Sequence, residues 1–351
     1  MKEFRKIVKI IIVSVMIPVI LISCNQNIIS TSSKAGFRRP VKVGVVLHTF
    51  DPYMSLIRQN LEEIQKENSG NVEFTFLDSK DNEAIQSENI DRLLQDNVDL
   101  LLLNLVNVKE NTVEAAISNI KQKNIPVILF FSLEPARMNA VKAYEKVFVV
   151  SSDFQQSGTL EGNILVDLWN SNKAAIDKNG DNIIQYIMLQ GPRNNEQSEA
   201  RTKYSILAIN NAGIKTEELA SQVCNWDREV AKNSIEVLFL RYDGEIEAII
   251  ANNDAMAIGA IEALQKYGYN KGDKTKNIAV VGIDAIPEAR DLIRKGFMTV
   301  TIFQDPYAQA QTLYLIGMNL FYGRSPIEGT DYKLDKDEKV IYTPYQQYTG
   351  E

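Results

Sequence analysis

The sequence predicts an α/β protein with two doubly wound parallel sheets, and three observations support this. The chain has 351 residues, of which 45% are apolar and 24% charged, values that exclude a largely disordered chain. At about 150 residues per domain, this length favours two domains. From residue 41 onward, short continuous apolar runs alternate with amphipathic stretches. Strands that are apolar on both faces are typical of parallel sheets covered by helices.

Strands and helices alternate along the body of the chain. The predicted strands, all short apolar runs, cover residues 41–47, 72–77, 100–103, 126–131, 147–151, 183–189, 248–251, 278–282 and 300–303. The predicted helices, with apolar residues at helical spacing, cover 53–67, 82–96, 113–123, 154–170, 198–212, 227–240, 254–267, 286–294 and 306–322. Repeated strand–helix units of this kind build doubly wound sheets.

The first 40 residues are predicted to be a targeting segment followed by a flexible tether. Basic residues precede an apolar run at 10–22, which is short for a transmembrane helix but fits the core of a signal peptide. The run ends Leu21-Ile22-Ser23-Cys24, which resembles the bacterial lipobox, where the cysteine is lipidated and the chain is cut before it. An ordinary signal peptide with a chance cysteine is the alternative. Residues 1–23 are thus a predicted lipoprotein signal peptide, and 24–40 a flexible tether.

Lipidation at Cys24 would place the protein outside the cytoplasm, anchored to the outer face of the cytoplasmic membrane or held in the periplasm. The second cysteine, Cys224, would then have no disulfide partner. The formal net charge is −7 and the sequence pI is near 5.1. Both values argue against a nucleic-acid partner, which needs a basic surface.

Polar residues recur where the predicted strands end, at 48–51, Asn104, 252–254 and Asp284. In doubly wound folds, ligands bind beyond the carboxyl ends of the strands. Each residue has an alternative role, because Asp and Asn commonly cap the following helix; Asp254 alone is better explained as a cap. The recurrence at strand after strand favours an uncharged, hydroxyl-rich ligand, since carboxylates and amides can each pair with sugar hydroxyls.

Several longer motifs occur in one order along the chain. They are Asn-Leu-Val at 104–106, Phe-Phe at 130–131 with Glu-Pro at 134–135, Glu-Ala-Arg-Thr at 199–202, Ile-Ile-Ala-Asn-Asn-Asp-Ala-Met-Ala at 249–257 and Val-Gly-Ile-Asp-Ala-Ile-Pro-Glu-Ala at 281–289. Together they resemble the bacterial galactose/glucose-binding proteins of the ribose-type periplasmic sugar-binding superfamily. The resemblance extends from about residue 42 to the end of the chain.

This resemblance implies a type I periplasmic binding protein fold, with two lobes joined by a three-segment hinge and a sugar bound between them. It places the crossings near 131–133, 304–306 and 340–343. The first lobe is then expected to combine 41–131 with 306–339. The second lobe is expected to combine 132–305 with 340–351.

Sugar-binding residues carry over from the family position by position. Those that match its usual residues are Asp51, Asn104, Arg201, Trp226, Asn253 and Asp284. By the same resemblance, Tyr53 stands where the family typically has Phe, and would cover one face of the sugar while Trp226 covers the other. Four positions depart from the family pattern: His48, Asn195, Gln197 and Gln304. All four can form hydrogen bonds, so they leave sugar binding intact but put the preferred sugar in doubt.

His48 is the single histidine of the chain. It can be a polar residue satisfied at a strand end, or a cleft residue that touches the sugar. Its place just before Phe50 and Asp51 favours the second role. A catalytic histidine is a third possibility, but no nucleophile motif accompanies it.

A calcium loop is predicted at 177–185. Oxygen-bearing side chains stand at the first, third, fifth and ninth positions, with Ile183 able to offer its carbonyl at the seventh, as in an EF-hand. The position-twelve glutamate is missing, and in the galactose-binding family it comes from a distant strand, where Glu247 sits here. The alternative is an Asx-rich turn. The predicted structural Ca²⁺ ligands are Asp177, Asn179, Asp181, Ile183, Gln185 and Glu247.

The resemblance implies a monomeric receptor that delivers a galactose- or glucose-type monosaccharide to an ABC permease and its ATPase. The chain itself lacks a Walker A pattern. A transcriptional repressor is disfavoured, because a signal peptide and tether stand where a helix-turn-helix is expected. An enzyme such as a glycosidase is disfavoured, because no acid/base pair is marked. A sensor that feeds a chemoreceptor or sensor kinase stays open beside transport.

Overall fold

The computed structural model of the chain describes residues 39–336 and 339–348. The predicted signal peptide, Cys24 and nearly all of the tether lie outside these residues. In the part of the chain that is described, no helix is both long and apolar enough to cross a bilayer.

Twelve strands in the described residues form two six-stranded sheets. The first sheet contains β1 Val41–Leu47, β2 Val72–Asp78, β3 Leu100–Leu103, β4 Val127–Phe130, β5 Val147–Ser152 and β11 Val340–Thr343, in the order β11-β5-β4-β3-β1-β2. The second contains β6 Ile183–Gln190, β7 Lys215–Val223, β8 Ala248–Ala251, β9 Ala279–Asp284, β10 Val300–Gln304 and β12 Tyr345–Gln347, in the order β12-β10-β9-β8-β6-β7.

Helices connect the strands and cover the sheets. They are α1 Pro52–Glu67, α2 Glu83–Gln95, α3 Glu110–Gln122, α4 Asn139–Lys142, α5 Phe154–Asn172, α6 Glu196–Asn211, α7 Arg228–Arg241, α8 Asp254–Lys266, α9 Pro287–Arg294 and α10 Pro306–Phe321. Short 3-10 helices cover Glu134–Arg137, Lys173–Ala175 and Lys274–Lys276.

Both sheets repeat the same doubly wound pattern, in which the first strand lies between the second and the third. The inner strands β3, β4 and β8 are buried at every residue, because helices pack on both of their faces. This arrangement confirms the predicted pair of doubly wound parallel sheets. A crevice opens where the strand order reverses, at the carboxyl ends of the strands.

The chain passes between the two sheets three times. β5 belongs to the first sheet, and Asp153 then caps α5, which packs on α6 of the second lobe. β10, in the second sheet, ends at Gln304. Asp305 then caps α10, which packs on α1 of the first lobe. Pro344 separates β11 in the first sheet from β12 in the second.

The predicted lobe boundaries need correction. The crossing expected near 131–133 is wrong, because β5 pairs in parallel with β4 and therefore belongs to the first sheet. Residues 340–343 were assigned to the second lobe, but they form β11, which pairs with β5. The first lobe therefore combines about 41–152 with 306–343, and the second about 153–305 with 345–348.

Cys224 lies directly after β7 and is completely buried. Its thiol donates to the carbonyl oxygen of Gln222 at 3.7 Å. Burial raises the pKa of the Cys224 thiol to about 11. It is the one cysteine among the described residues.

Candidate ligand-binding cleft

Two adjoining cavities lie between the lobes, at the carboxyl ends of the strands. The inner cavity, of about 40 Å³, is lined by His48, Asp51, Tyr53, Met54, Phe131, Gln197, Arg201, Trp226, Asn253, Asp284 and Gln304. The outer cavity, of about 210 Å³, shares five of these residues and adds Asn104, Asn195 and others. The eleven residues expected at a sugar therefore all line one cavity or the other.

Asp51 and His48 form the first-lobe wall of the inner cavity. Asp51 caps α1, with Oδ1 accepting from the backbone N–H of Met54 at 2.7 Å. Its other oxygen, Oδ2, lies 3.4 Å from Nε2 of His48. Burial raises the pKa of Asp51 to about 6 and lowers the pKa of His48 to about 4. The cap explains Asp51 Oδ1 but leaves Oδ2 facing the cavity.

Asn104 and Tyr53 complete this wall. Asn104 follows β3 and ties its neighbours together, because Nδ2 donates to the Phe130 carbonyl at 3.2 Å and Oδ1 accepts from the N–H of His48 at 3.4 Å. The Tyr53 hydroxyl is buried and has no hydrogen-bond partner among the described residues. A buried hydroxyl without a partner is costly, so a ligand hydroxyl placed there would relieve this cost.

Arg201 is the centre of the second-lobe wall. It projects from α6, is 2% exposed, and donates to three separate strand ends. Nη1 donates to the carbonyl of Asn252 at 2.7 Å, and Nη2 donates to Oε1 of Gln304 at 3.0 Å and to the Tyr345 hydroxyl at 3.1 Å. The guanidinium carbon lies 5.8 Å from the Trp226 ring centroid. A fixed cation is thus held under the aromatic ring of the cleft.

Asp254 and Asp284 place two more carboxyls beside Arg201. Burial raises the pKa of Asp254 to about 7, and it holds the pKa of Asp284 well above its usual range although Arg201 opposes the shift. Asp254 Oδ1 accepts from the Thr301 hydroxyl at 2.6 Å and Oδ2 from the Ile286 N–H at 2.9 Å. Both oxygens of Asp254 are therefore used inside the lobe.

The cap of α8 is Asn253, whose Oδ1 accepts from the N–H of Met256 at 3.0 Å. The expectation that Asp254 caps this helix is therefore wrong, because Asp254 is the first helical residue and points toward β10 instead. Asn195 likewise caps α6 through the N–H of Ser198 at 3.0 Å. Capping and lining the cleft are compatible roles for one side chain.

Three residues that line the inner cavity have positive φ angles. The φ angles are +60° at Phe131, +64° at Trp226 and +126° at Asp284. Such angles are costly for residues with side chains, and they concentrate at functional sites where the surrounding structure enforces them. The strain marks the same residues that line the inner cavity.

Glu196 joins the two lobes at the mouth of the cleft. Its Oε2 accepts from the backbone N–H groups of Leu133 at 2.9 Å and Glu134 at 2.8 Å. Glu196 begins α6 of the second lobe, whereas Leu133 and Glu134 follow β4 of the first. The walls of the cleft are therefore in direct contact at this point.

Sequence reasoning missed several residues of this region. Met54 and Phe131 line both cavities, and Asp81 lines the outer one. Glu161, on α5, is completely buried, with both carboxyl oxygens unpartnered in the described structure. The sequence signal that could have indicated a buried position for Glu161 is its place between Gly158 and Gly162. A Cβ on Gly158 would come within 2.8 Å of the Arg201 carbonyl, so this face of α5 packs closely on α6.

The loop expected to bind calcium brings its polar residues together at the start of β6. Glu247 is 2% exposed and accepts from the N–H groups of Lys178 at 2.6 Å and Gln185 at 3.3 Å. Asp181 Oδ2 lies 2.7 Å from Nε2 of Gln185 and 3.1 Å from Nδ2 of Asn179. Asn182 at the sixth position has a φ of +68°, the turn that an EF-hand usually gives to glycine.

The fit of this loop to Ca²⁺ depends on carboxamides as well as carboxylates. Among the described residues, no three His, Cys, Asp or Glu side chains cluster as a metal site. Oxygen and nitrogen of Asn and Gln side chains are interchangeable by a flip, so Asn179 and Gln185 can turn their oxygens toward Asp181. Lys173 lies 3.2 Å from Asp177 and would have to release it. The donor chemistry fits a cation that prefers oxygen.

Comparison with known proteins identifies the family. Residues 43–325 match a family model described as a periplasmic binding protein domain. The chain belongs to this family. Membership confirms the resemblance seen in the sequence, places the protein outside the cytoplasm, and confirms that it is a binding protein and not an enzyme.

Several curated periplasmic binding proteins are similar over most of their length. The D-galactose/methyl-galactoside binding periplasmic protein of Haemophilus influenzae is 35% identical over 316 residues, covering 90% of this chain and 91% of that protein. A putative rhizopine-binding protein of Rhizobium meliloti is 27% identical, covering 88% and 89%. The ribose import binding protein of Escherichia coli is 30% identical, covering 66% and 68%.

Solved structures share the fold at lower identity. A solute-binding protein of Bacillus halodurans with bound myo-inositol has a TM-score of 0.70 at 23% identity, covering 89% of this chain and 95% of that one. One from Actinobacillus succinogenes with bound D-allose has a TM-score of 0.70 at 22% identity, covering 88% and 97%. At these identities the likeness supports the periplasmic binding protein fold alone.

Proposed function

We propose that this periplasmic binding protein captures a monosaccharide of the galactose or glucose type between its lobes and delivers it to an ABC importer. The observation that carries the proposal is the inner cavity, where carboxyls, a fixed guanidinium and aromatic rings converge from both lobes. Carboxylates and Arg pair with hydroxyls, while Trp226 and Tyr53 cover apolar ring faces. The similarity to a D-galactose/methyl-galactoside binding protein supports the same ligand class.

Each wall has a distinct part in the proposed complex. Asp51 accepts sugar hydroxyls from the first lobe, and Asp284 with Asn253 accepts them from the second. Arg201 donates to a sugar oxygen from a position already fixed by its other bonds. Closing the lobes on the sugar by hinge motion would produce the form that the permease recognises.

The preferred hexose depends on the positions that depart from the family. Gln197 offers a neutral amide where the family usually has Asp, and hydrogen bonds to charged groups are worth about 1.5–3 kcal/mol against about half that for neutral ones. Gln304 already accepts from Arg201. We therefore expect weaker binding than a charged residue at 197 would give, and a sugar preference set mainly by His48, Asn195 and Gln197.

The proposal is tested by titrating the purified protein with galactose, glucose, ribose and xylose. The chain has two tryptophans, so a Trp169→Phe variant leaves Trp226 as the fluorescent reporter inside the cleft. Saturable quenching or enhancement by a hexose, with a rise in melting temperature, is expected because ligand stabilises the folded state by mass action. No response to any hexose would refute the galactose or glucose assignment.

We further propose that the 177–185 loop binds Ca²⁺ with Glu247 as a structural ion remote from the sugar. Asp177, Asn179, Asp181, Gln185 and Glu247 would supply side-chain oxygens, and Ile183 its carbonyl. Chelation is expected to lower the melting temperature, and Asp181→Asn to remove that sensitivity. Asp273→Asn, an exposed cap elsewhere in the second lobe, is the matched control. Equal melting temperatures with and without chelator would contradict the Ca²⁺ site and indicate an ordinary Asx turn.

Lipidation of Cys24 is proposed as the anchor of the receptor at the membrane surface. Labelling with a radioactive fatty acid should mark the wild-type protein but not Cys24→Ala. A labelled Cys24→Ala protein would contradict the anchor. Neighbouring genes for a permease and ATPase, or for a chemoreceptor or sensor kinase, would separate import from signalling.

A further inference from the structure

We propose that Asp81, to which the family resemblance gives no role, is a positioning residue of the cleft. It competes with Asp51 for the ring N–H of His48 and so sets which imidazole nitrogen is protonated beside the ligand. Its effect on capture rests on the proposed sugar-binding function, whereas its effect on the imidazole does not.

The imidazole of His48 lies between two carboxyls on opposite sides of the ring. Nε2 is 3.4 Å from Oδ2 of Asp51, and Nδ1 is 3.7 Å from Oδ1 of Asp81. The His48 side chain is 13% exposed, and Nδ1 has no closer partner among the described residues. Only small movements are needed for either carboxyl to form a hydrogen bond to the ring.

The segment that carries Asp81 is held in place by its backbone. The Asp81 N–H donates to the His48 carbonyl at 2.7 Å. The φ angles of Lys80 and Asp81 are +51° and +53°, which are unfavourable for residues other than glycine, asparagine and aspartate. Asp81 lines the outer cavity while its side chain stays 62% exposed. The backbone strain of this turn therefore lies at Lys80, next to Asp81.

A neutral imidazole carries one N–H and one acceptor nitrogen. When Asp51 is protonated, it donates to Nε2, and the ring N–H on Nδ1 points to the Asp81 carboxylate. When Asp51 is ionised, it accepts from Nε2–H, and the bare Nδ1 then faces the Asp81 carboxylate. Asp81 therefore favours the first arrangement and, through the ring, the protonated form of Asp51.

Other charged groups near the ring act on both arrangements alike. Asp78 lies behind it at the end of β2, Lys109 and the second-lobe pair Arg193 and Glu196 line the outer cavity, and Arg201 and Asp284 line the inner one. Among the described residues, Asp51 and Asp81 are the acids with a carboxyl oxygen within 4.0 Å of a ring nitrogen. The competition is therefore specific to these two carboxyls.

Ionised Asp51 is the better acceptor for a ligand hydroxyl. Burial is the main cause that raises its pKa to about 6, and the charge of Asp81 contributes to the same rise. Capture is therefore expected to weaken as the pH falls through about 6. Removing Asp81 should move that loss to lower pH.

The test uses the single histidine, whose ring ¹⁵N signals in the NMR spectrum need no further assignment. In the wild-type protein without sugar, the N–H should move from Nε2 to Nδ1 as the pH falls through about 6. Asp81→Gly removes the carboxylate and suits the positive φ, so the change should shift to lower pH. Asp81→Asn keeps an acceptor oxygen without the charge and should lie between the two.

Asp96→Asn is the matched control, because Asp96 is in the same lobe and its side chain is also 62% exposed. A tautomer change with the same midpoint in wild type and Asp81→Gly, or protonation at Nε2 throughout, would overturn the proposal. The proposal would also be overturned if the tautomer change in Asp81→Asn were identical to that in Asp81→Gly. Asp81 would then act through its charge alone, without a bond to Nδ1, and would not position the ring.

Sugar titrations at pH 5 and pH 8 form the second arm. Relative to its own affinity at pH 8, Asp81→Gly should bind at pH 5 about threefold better than wild type. An unchanged pH profile would overturn the role in capture. Absence of sugar binding at every pH would instead refute the proposed function and leave the NMR result to decide the role of Asp81.

Discussion

The two walls of the cleft are built in different ways. In the second lobe, Arg201 donates to three strand ends, and Asp254 accepts from Thr301 on β10 and from Ile286 before α9. In the first lobe, Asp51 bonds to its own helix, and the Tyr53 hydroxyl bonds to no described group. The second-lobe wall is a cross-linked network, whereas in the first-lobe wall Asn104 bridges neighbouring strands but Asp51 and Tyr53 have no such cross-links.

This difference indicates separate tasks for the lobes. Groups already fixed by several bonds lose little freedom when a ligand arrives, so the second lobe is preorganised for it. Groups with unused hydrogen-bonding capacity gain a partner only when the cleft closes on a ligand. We therefore expect the second lobe to supply most of the affinity, and the first to add the bonds that favour closure.

The largest effect is expected from Asp284→Asn, which tests the preorganised wall. Loss of one acceptor carboxyl, worth about 1.5–3 kcal/mol in its ionised form, corresponds to binding roughly tenfold to hundredfold weaker. Fluorescence titration measures it, and the melting temperature checks the fold. Asp243→Asn, an exposed acid in the same lobe, should bind as wild type. Unchanged affinity in Asp284→Asn would remove this residue from the site.

A smaller effect, on stability, is expected from Glu161→Gln. Burial holds the pKa of Glu161 well above its usual range, so this carboxyl destabilises the fold once the pH exceeds the unfolded value of about 4.5. The amide does not ionise and so removes this pH-dependent cost, about 1.4 kcal/mol for each pH unit between the unfolded and the folded pKa. Thermal melting should show Glu161→Gln more stable at pH 8 and equal to wild type near pH 4.

The surface residue Glu199 gives the control for this comparison, since Glu199→Gln alters an exposed side chain on α6. Its melting temperature should follow that of the wild type at both pH values. A destabilised Glu161→Gln protein at pH 8 would mean that the charge of Glu161 supports Arg201, and that the network needs a second anion.

The smallest effect is expected from Tyr53→Phe, which tests the open wall. The change removes a buried hydroxyl without a partner, so the ligand-free protein should melt at a slightly higher temperature. If a sugar hydroxyl uses this group, affinity should fall about twofold to tenfold. Tyr144→Phe is the control, because that hydroxyl donates to the Ile125 carbonyl at 2.7 Å; it should lose stability and keep affinity. Equal behaviour of the two variants would contradict the unpartnered state of the Tyr53 hydroxyl.

Strands buried on both faces were predicted well from the sequence. β1, β3 and β8 have the predicted bounds, because an unbroken apolar run admits few other structures. β7 was missed: it is an edge strand with no fully buried residue, so its polar side chains resemble a loop. The sequence also did not predict which sheet contains β5, because an apolar strand has no residue pattern that identifies the strands beside it.

The sequence motifs identified residues that line the cleft at strand ends, but not the contacts that cross between segments. The family motifs located Asp51, Arg201 and Asp284 at the cavity. The partners of Asp254 on β10 and before α9, and the place of Asp81 beside His48, depend on tertiary packing. No local pattern in the sequence encodes such pairs.

The alkylation rate of the buried Cys224 thiol reports how often the structure around the cleft opens. A thiol with its pKa near 11 and no exposed surface reacts only when the surrounding structure opens. Cys224 lies two residues from Trp226. The rate at which its thiol is alkylated therefore measures how often this part of the second-lobe wall opens. A ligand that holds the lobes together should slow that reaction by the factor with which it suppresses opening, and the slowing can be read by mass spectrometry without any added label in the cleft.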